Sequence, residues 1–461
     1  MEKFSFLIQL ILSILAFSSL FHGGFVSAAR TKDGSEQWGY IQVRPKAHMF
    51  WWLYRSPHRV EDPSKPWPII LWLQGGPGSS GVGIGNFQEI GPLDTELKPR
   101  NSTWLRVADL LFVENPVGTG YSFVEDEKEL VKNDEEAATD LTTLLKALFN
   151  RNARLQKCPL YIVAESYGGK YAVTLALSTL KAIKAGKLKL QLGGVALGDS
   201  WISPEDFVFS WAPLLKDVSR LDDSGAKKAN SIALQIKRQL AAGHYVNATY
   251  SWIELDGIIS MASNFVDFYN FMLDSGRDSI SAMAMALSKG ERMKMYSRYL
   301  NSKSLLAGGS DDINTLMNVV IREKLKIIPR GVVWGELSMS VYSALEGDFM
   351  KPRINEVDDL LAEGVNVTIY NGQLDVICAT KGAEAWVKKL KWDGLKRFLS
   401  MDRTPLYCGH EDETTRGFTK SYKNLHFYWI LGAGHFVPVD QPCISLKMVA
   451  DITHSPIVIS S

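Results

Sequence analysis

Residues 160–171 read L-Y-I-V-A-E-S-Y-G-G-K-Y, and they carry the clearest indication of the fold. Residues 160–163 are an apolar, β-type run, which predicts a buried strand. Directly after two glycines, apolar residues recur at helical spacing over residues 171–184,. Ser166 therefore lies on a short turn between a predicted strand and a predicted helix.

The turn at Ser166 has the features of a nucleophile elbow, the catalytic turn of α/β-hydrolases. Such a turn exposes the serine hydroxyl, and the helix N-terminus behind it favours developing negative charge. The usual pattern is G-x-S-x-G, and Ala164 occupies its first position here. Alanine has the smallest side chain with a Cβ, so the turn can still form. We predict an α/β-hydrolase fold with a mostly parallel central sheet and Ser166 as its nucleophile.

The partners of such a serine follow it along the chain, first an acid and then a histidine. Residues 365–370 alternate like a strand, and Asp375 lies on the loop after them. Residues 424–431 form another strand-like run, and the glycine-flanked His435 follows it. We predict Asp375 and His435 as the partners; a turn carboxylate and a loop hydrogen-bonding group are the alternative interpretations.

His410 and His426 also follow Asp375 along the chain and are rivals by chain order. His426 lies inside the strand-like run, where a structural side chain is more common. His435 is therefore the preferred base.

A glycine-rich loop is expected to supply the second oxyanion donor. The backbone N–H of Tyr167, directly after the nucleophile, is the first. Residues 68–85 read as a buried strand followed by Q-G-G-P-G-S-S-G-V-G-I-G, which lets backbone N–H groups approach a substrate closely,. A phosphate-binding loop is the alternative, but the G-K-[ST] ending of a P-loop is missing.

Six segments resemble the serine carboxypeptidase family. They match its opening hairpin and its blocks W-L-N-G-G-P-G-C-S-S…E-x-G-P, L-F-x-D-x-P-V-G-T-G-F-S, G-E-S-Y-G-G, G-D-x-D-x-x-C and G-A-G-H-x-V-P. The details at Gln74, residues 83–87 and Glu89 are most similar to the retinoid-inducible branch. In chain order the segments are residues 40–54, 71–91, 109–122, 164–169, 372–378 and 432–438.

The resemblance implies a serine-type carboxypeptidase that removes C-terminal residues of peptides or proteins through an acyl-enzyme. It implies Ser166, Asp375 and His435 as the triad, and Gly76 and Tyr167 as the oxyanion donors. The residues implied to bind the carboxylate of the substrate are Gln74, Gly75, Glu89 and Glu165.

Three departures from the family pattern matter. Gln74 replaces the usual Asn, which keeps the amide but lengthens its reach. Gln373 replaces the first Asp of the G-D-x-D block, with Asp375 intact. Ser79 replaces a Cys, so a disulfide common in the family cannot form at that position.

Glu165, directly before the nucleophile, would interact strongly with Glu89 if the two lie together. Two close carboxyl groups cannot both ionise cheaply, so they share a proton and the pKa of one rises. A protonated pair can donate a hydrogen bond to a substrate carboxylate, whereas two anions would repel it. We therefore expect activity at acid pH; two separate solvated glutamates are the alternative.

Composition is that of an ordinary globular protein. The chain has 461 residues, 46% of them apolar, which is enough for a sizeable core,. Its 51 basic and 50 acidic residues nearly balance, which argues against nucleic acid as a partner,. Cys408 and His410 are a lone pair without zinc-site spacing, so we predict no metal or other cofactor.

The N-terminus predicts entry into the secretory pathway. A charged start and an apolar run over residues 4–21 end in small residues, the pattern of a signal peptide,. We predict that residues 1–29 are removed near Ala28 or Ala29, leaving no stable membrane association. A signal anchor is the alternative, because the run approaches spanning length. The expected destination is the extracellular space, the vacuole or the lysosome.

Sequons and cysteines fit this route. Four cysteines allow three pairings, and spacing does not choose among them, although we favour a bond between Cys408 and Cys443,. The family can carry a free thiol at the position of Cys378. Glycosylation is predicted at Asn101, Asn247 and Asn366, the last within a predicted strand,.

Residues 30–461 read as one catalytic domain of alternating strands and helices. Residues 203–329 are helical and short of strand signals, with residues 281–300 as an amphipathic example, and we predict them as an inserted lid,. An acyltransferase on the same scaffold and a catalytically silent binding protein are the alternative functions. The predicted strands are residues 40–54, 68–73, 109–113, 160–163, 192–197, 365–370 and 424–431.

Overall fold

The computed structural model describes residues 26–60, 64–275, 312–409 and 413–456. His410, most of the predicted signal peptide and the amphipathic stretch 281–300 lie outside these residues. The strands are β1 (Val26–Arg30), β2 (Glu36–Arg44), β3 (Ala47–Tyr54), β4 (Ile69–Leu73), β5 (Asp109–Val113), β6 (Phe123–Val124), β7 (Pro159–Glu165), β8 (Gln191–Gly198), β9 (Val367–Gly372), β10 (Thr404–Leu406), β11 (Gly417–Tyr422) and β12 (Leu425–Ile430).

These strands form one mixed sheet in the order β1-β2-β3-β5-β4-β7-β8-β9-β12-β11-β10, with β6 paired to β3. The six strands from β5 to β12 in this order are parallel to one another. Both edges of the sheet are antiparallel. Helices connect the parallel strands, so the predicted α/β class with a mostly parallel central sheet is confirmed,.

The helices lie between and beyond the strands. The α-helices are α1 (Asp134–Phe149), α2 (Gly168–Lys184), α3 (Pro204–Asp217), α4 (Asp223–Ala241), α5 (Tyr245–Ala262), α6 (Asp312–Thr315), α7 (Arg322–Leu325), α8 (Met339–Ala344), α9 (Ile354–Ala362), α10 (Thr380–Val387), α11 (Leu395–Ser400), α12 (Val437–Asp440) and α13 (Pro442–Ile452). The π-helices are Gly81–Ile90 and Leu316–Ile321, and the 3₁₀ turns are Trp104–Arg106, Glu127–Glu129 and Leu155–Lys157.

The central strand β4 shows how the sheet is buried on both faces. All five of its residues are buried, as expected of a parallel strand covered by helices,. Successive side chains point to opposite faces. Leu71 and Leu73 therefore pack in one core with α1 and α2, while Ile70 and Trp72 pack in a second core with the π-helix Gly81–Ile90 and with α13.

Most of the described part of the predicted insertion is helical, whereas residues 263–275 form turns and an isolated bridge between Val266 and Asp274. Helices α3, α4 and α5 pack against one another in sequence. Its function as a lid and its boundaries stay predictions. Among the described residues, no helix combines the length and the apolar character needed to cross a membrane.

Strand β1 differs from the sequence interpretation. It occupies Val26–Arg30 and pairs antiparallel with β2. Cleavage near Ala28 or Ala29 would remove most of this edge strand. The signal peptide itself stays a prediction.

A buried charge cluster joins α1 and α2 to the chain after α8. Lys170 Nζ lies 3.5 Å from Asp134 Oδ2 and 3.7 Å from Asp348 Oδ2, and all three side chains are inaccessible to solvent. The Arg353 guanidinium donates to the same two oxygens, at 2.9 and 3.1 Å. Two cations thus balance two anions inside the protein.

Replacing Lys170 by methionine should destabilise the fold by about 3–5 kcal/mol, because it leaves an excess buried anion. Lys184→Met is the matched control on the same helix. Lys184 is 61% exposed and pairs with Glu363 at the surface, so its loss should cost less than about 1 kcal/mol,. Urea unfolding of both variants measures the difference in their free energies of unfolding. Equal losses would show that the buried cluster contributes no more to stability than the surface pair.

Candidate active site

Ser166 lies between the end of β7 and the start of α2, as predicted. Its φ is +60°, in the left-handed region that a residue with a side chain rarely adopts,. Two backbone hydrogen bonds hold this conformation: the Ser166 N–H donates to Gly198 O at 3.1 Å, and the Trp201 N–H donates to Ser166 O at 2.9 Å. The chain after β8 thus fixes the serine on a sharp turn.

The elbow packs against the end of β4 so closely that two positions need glycine. A Cβ at Gly75 would lie 2.6 Å from Ser166 Cβ. A Cβ at Gly168 would lie 2.2 Å from Leu73 O. The glycines of the two motifs therefore bring the glycine-rich loop directly against the turn that carries Ser166.

Asp375 and His435 form a buried hydrogen-bonded pair. His435 Nδ1 lies 2.8 Å from Asp375 Oδ2, and the two side chains are 2% and 0% exposed. The Cys378 N–H donates to Asp375 Oδ1 at 3.2 Å. Both oxygens of the carboxylate are thereby held, and the imidazole has its Nδ1 fixed on the acid.

The loop that carries His435 is tied down on both sides. The His435 N–H donates to Tyr269 O at 2.8 Å, and the Gly434 N–H donates to Asp440 Oδ2 at 2.7 Å. The rings of Tyr269 and His435 have centroids 4.9 Å apart. A residue of the predicted insertion therefore packs directly against the imidazole.

Ser166 and His435 line one cleft, whose empty space is about 690 Å³ when its opening to solvent is included. Asp375 and Glu89 do not line the cleft themselves, but each is hydrogen-bonded to a residue that does, Asp375 to His435 and Glu89 to Gln74. Sequence-predicted residues that line this cleft are Gln74, Gly75, Gly76, Glu165, Ser166, Tyr167 and His435.

Gln74 joins the two glutamates beside the nucleophile. Its Nε2 donates to Glu89 Oε1 at 3.0 Å and to Glu165 Oε1 at 2.9 Å. Trp72 Nε1 donates to Gln74 Oε1 at 2.7 Å, which fixes the orientation of the amide. Glu89 comes from the π-helix Gly81–Ile90, and Glu165 from the last position of β7.

The two glutamates are buried and in contact with each other. Burial raises the pKa of Glu89. Burial, and then the charge of Glu89 and a hydrogen bond with it, raise the pKa of Glu165 well above its usual range. No other donor of the described residues reaches Glu89 Oε2 or Glu165 Oε2. The geometry therefore suits two carboxyl groups that share a proton.

Much of the cleft wall is aromatic and escaped the sequence analysis. The Phe349 ring packs against Trp201 and Trp252, with centroids 5.7 and 4.8 Å away. Trp252 comes from α5 of the predicted insertion, and Phe349 follows α8. Their convergence depends on tertiary packing, so no local pattern could have indicated it.

The ligand atoms of Asp375, Cys378 and His435 lie within 4.8 Å of one another, which makes them the one candidate metal group in the described part of the chain. The hydrogen bond between Asp375 and His435 already uses an atom of each. Burial also raises the pKa of the Cys378 thiol well above its usual range, which disfavours the thiolate that binds metals,. These residues fit a catalytic pair better than a metal site.

The remaining sequence predictions fall outside the cleft. Asn101 and Asn247 are exposed, as glycosylation requires, and Asn366 is partly buried just before β9 instead of within a strand. Glycosylation stays a prediction at all three positions. A disulfide joins Cys408 and Cys443, the favoured pairing, and the other two cysteines are free and buried.

Comparison with known proteins gives consistent matches. The family model for serine carboxypeptidases matches residues 28–455. Serine carboxypeptidase-like 51 from Arabidopsis thaliana is 66% identical over 430 residues, which are 92% of this chain and 93% of that protein. The retinoid-inducible serine carboxypeptidase of Mus musculus is 45% identical over 447 residues, covering 97% of this chain and 98% of that protein.

A solved structure agrees in fold. Kex1(delta)p, a prohormone-processing carboxypeptidase from Saccharomyces cerevisiae, superposes with a TM-score of 0.70 over 92% of each chain, at 22% identity. Together with the parallel sheet and its connecting helices, this confirms the predicted α/β-hydrolase fold.

Proposed function

The chain belongs to the serine carboxypeptidase family and is therefore a serine-type peptidase, and from this premise we propose that it removes C-terminal residues from peptides by a Ser166–His435–Asp375 triad working at acid pH. One observation carries the proposal: the buried Glu89–Glu165 pair, held by Gln74, adjoins the cleft that Ser166 and His435 line.

The chemistry follows from the positions of these side chains. Ser166 Oγ attacks the carbonyl carbon of the last peptide bond and passes its proton to His435 Nε2. Asp375 accepts the hydrogen bond from His435 Nδ1–H and stabilises the imidazolium. The N–H groups of Gly76 and Tyr167 donate to the oxyanion. The C–N bond then breaks as His435 gives its proton to the departing amine.

The acyl-enzyme on Ser166 is released by water. His435, neutral again, accepts a proton from the attacking water, and a second oxyanion forms in the same place. When this intermediate collapses, the proton returns to Ser166 Oγ. The products are a free amino acid and a peptide shortened by one residue.

Recognition of the free C-terminus is the task of the glutamate pair. The protonated pair donates a hydrogen bond to the substrate carboxylate, and a hydrogen bond to a charged group is stronger than a neutral one. Both amide hydrogens of Gln74 point to the pair, so Gln74 orients it, and Gly75 lines the cleft beside it. Chemistry is thereby confined to the last residue.

The pH dependence follows from the raised pKa values of Glu89 and Glu165. At acid pH the pair keeps its proton. As the pH rises through the pKa of the pair, a second negative charge appears and repels the substrate carboxylate. KM should therefore rise before kcat falls. C-terminal amides lack that carboxylate and should show no acid preference.

The double variant Glu89→Gln, Glu165→Gln tests this assignment, with Glu96→Gln at the surface as control. We expect the double variant to lose its preference for free C-termini by about 10- to 100-fold and to lose its acid preference. The test is to measure kcat and KM between roughly pH 4 and pH 8 on peptides with a free C-terminus and on the same peptides as C-terminal amides. An unchanged pH profile and an unchanged preference for free C-termini would refute it.

A further inference from the structure

A second buried aspartate lies beside the proposed triad. Asp199 directly follows β8, is fully buried, and has a φ of +39° in the left-handed region. Its N–H donates to Tyr370 O at 2.9 Å, and the preceding Gly198 O accepts from Ser166 N–H. Asp199 therefore lies between the elbow and the loop that carries Asp375.

One carboxyl oxygen of Asp199 is anchored to the last two residues of β9, just before the loop that carries Asp375. Oδ1 accepts from Asn371 Nδ2 at 3.0 Å and from Gly372 N–H at 2.8 Å. Asn371 Nδ2 also donates to Cys378 O at 2.6 Å. These bonds hold Oδ1 of Asp199 on β9 and link it through Asn371 to the backbone of Cys378.

The other oxygen, Oδ2, meets no donor among the described residues. A hydrogen bond with the Asp375 carboxyl is one of the causes that raise the pKa of Asp199, so the two carboxyl groups lie close together. Two carboxylates in contact at a dry site repel strongly, so one of them keeps its proton. Asp375 faces an imidazole that becomes positive during the reaction, and the proton therefore resides on Asp199.

We propose that Asp199 is a positioning residue for the triad: as a neutral acid, it donates an Oδ2–H hydrogen bond to Asp375 and so holds that carboxylate in place for His435. The inference rests on the proposed function, because it takes Asp375 as the triad acid. It adds no charge to the site, so the imidazolium is stabilised by one anion alone.

The surroundings keep the Asp199 carboxyl group protonated over a wide range of pH. Burial, and then the charge of Asp375, raise its pKa well above the usual value. At high enough pH the proton is lost, the hydrogen bond disappears, and two anions face each other behind the imidazole. The titratable groups that face Asp199 are Asp375, Asp440, Glu165, Cys378 and Tyr370.

Two variants test the inference. Asp199→Asn keeps an acceptor for Asn371 Nδ2 and Gly372 N–H and offers an amide donor to Asp375, but it cannot ionise. Asp199→Leu removes donor and acceptor at similar volume. We expect kcat within roughly threefold of the original enzyme for Asn, and a loss of about 10- to 100-fold for Leu with KM unchanged.

The pH profile distinguishes positioning from a merely structural role. With an ester substrate that lacks a free carboxylate, the glutamate pair does not contribute. The unmodified enzyme should then lose kcat at alkaline pH as Asp199 ionises, and Asp199→Asn should keep its kcat there. An alkaline loss that persists in Asp199→Asn would overturn the inference, as would full kcat in a folded Asp199→Leu. If the Leu variant fails to fold, the Asn profile alone decides.

Two further variants separate failure of this inference from failure of the proposed function. If Asp375→Asn loses activity while Asp199→Leu keeps it, the triad stands and the role of Asp199 is overturned. If Ser166→Ala stays active, the proposed function itself is overturned. Thermal melting of every variant checks that lost activity does not come from unfolding.

Discussion

Replacing Ser166 by alanine should lower kcat by about four to six orders of magnitude while leaving the fold intact. The substitution removes only the hydroxyl group. The turn is held by backbone hydrogen bonds from Ser166 N–H and from Trp201 N–H, and alanine preserves both. Alanine and serine also pay a similar cost for a φ of +60°,. Chemistry, and not stability, should therefore carry the whole effect.

Ser210→Ala is the matched control for this variant. Ser210 is also buried, and its hydroxyl donates to Phe207 O within α3 at 2.7 Å. Its loss should leave kcat near that of the unmodified enzyme. The activity of both variants is measured by steady-state hydrolysis, and the reactivity of the serine by labelling with a fluorophosphonate probe. Activity or labelling retained in a pure Ser166→Ala preparation would contradict the mechanism in which Ser166 is the nucleophile.

Asp375→Asn should lower kcat by about 10⁴-fold, as expected when the imidazole is held in the wrong tautomer. The Cys378 N–H requires an acceptor where Asp375 Oδ1 now lies. An asparagine would place its carbonyl oxygen there and turn its NH2 toward His435 Nδ1. The imidazole would then carry its proton on Nε2 and could not accept one from Ser166.

Asp440→Asn provides the comparison for Asp375→Asn. Asp440 Oδ2 accepts from Gly434 N–H in the same loop, and an amide oxygen can replace it. Its kcat should stay within about tenfold of the unmodified enzyme. A loss as large as that of Asp375→Asn would assign to Asp440 the role proposed for Asp375. An Asp375→Asn variant with nearly full kcat would contradict the triad.

The elbow was predictable because its signals are local. The apolar run of β7, the two glycines and the period of α2 are all adjacent to Ser166 in the chain, and a sharp strand–turn–helix connection needs little else. Asp375 and His435 were predicted by a similar rule, since each follows a predicted parallel strand. The structure places both where chain order and strand ends indicated.

Edge strands gave weaker signals. Strand β10 has three residues, two of them exposed, and most of β11 is only partly buried. A short strand with one solvent-exposed face has little alternation of apolar and polar residues to detect. Their pairing with β12 depends on contacts that the sequence pattern does not carry.

Asp199 had a signal that the sequence analysis left unused. It follows the predicted strand at residues 192–197, as Asp375 follows its own, and ligands and catalytic groups gather at the carboxyl ends of parallel strands. The aromatic wall formed by Trp252 and Phe349 had no such signal in the sequence. Those rings come from distant segments, and only tertiary packing brings them to the cleft.

The most direct test of the account is a product analysis by mass spectrometry at acid pH. A peptide with a free C-terminus and the same peptide as its C-terminal amide are incubated with the unmodified enzyme and with Ser166→Ala. We expect removal of single residues from the C-terminus of the free acid, little cleavage of the amide, and no cleavage by Ser166→Ala. Internal cleavage, equal cleavage of both peptides, or cleavage by Ser166→Ala would contradict it.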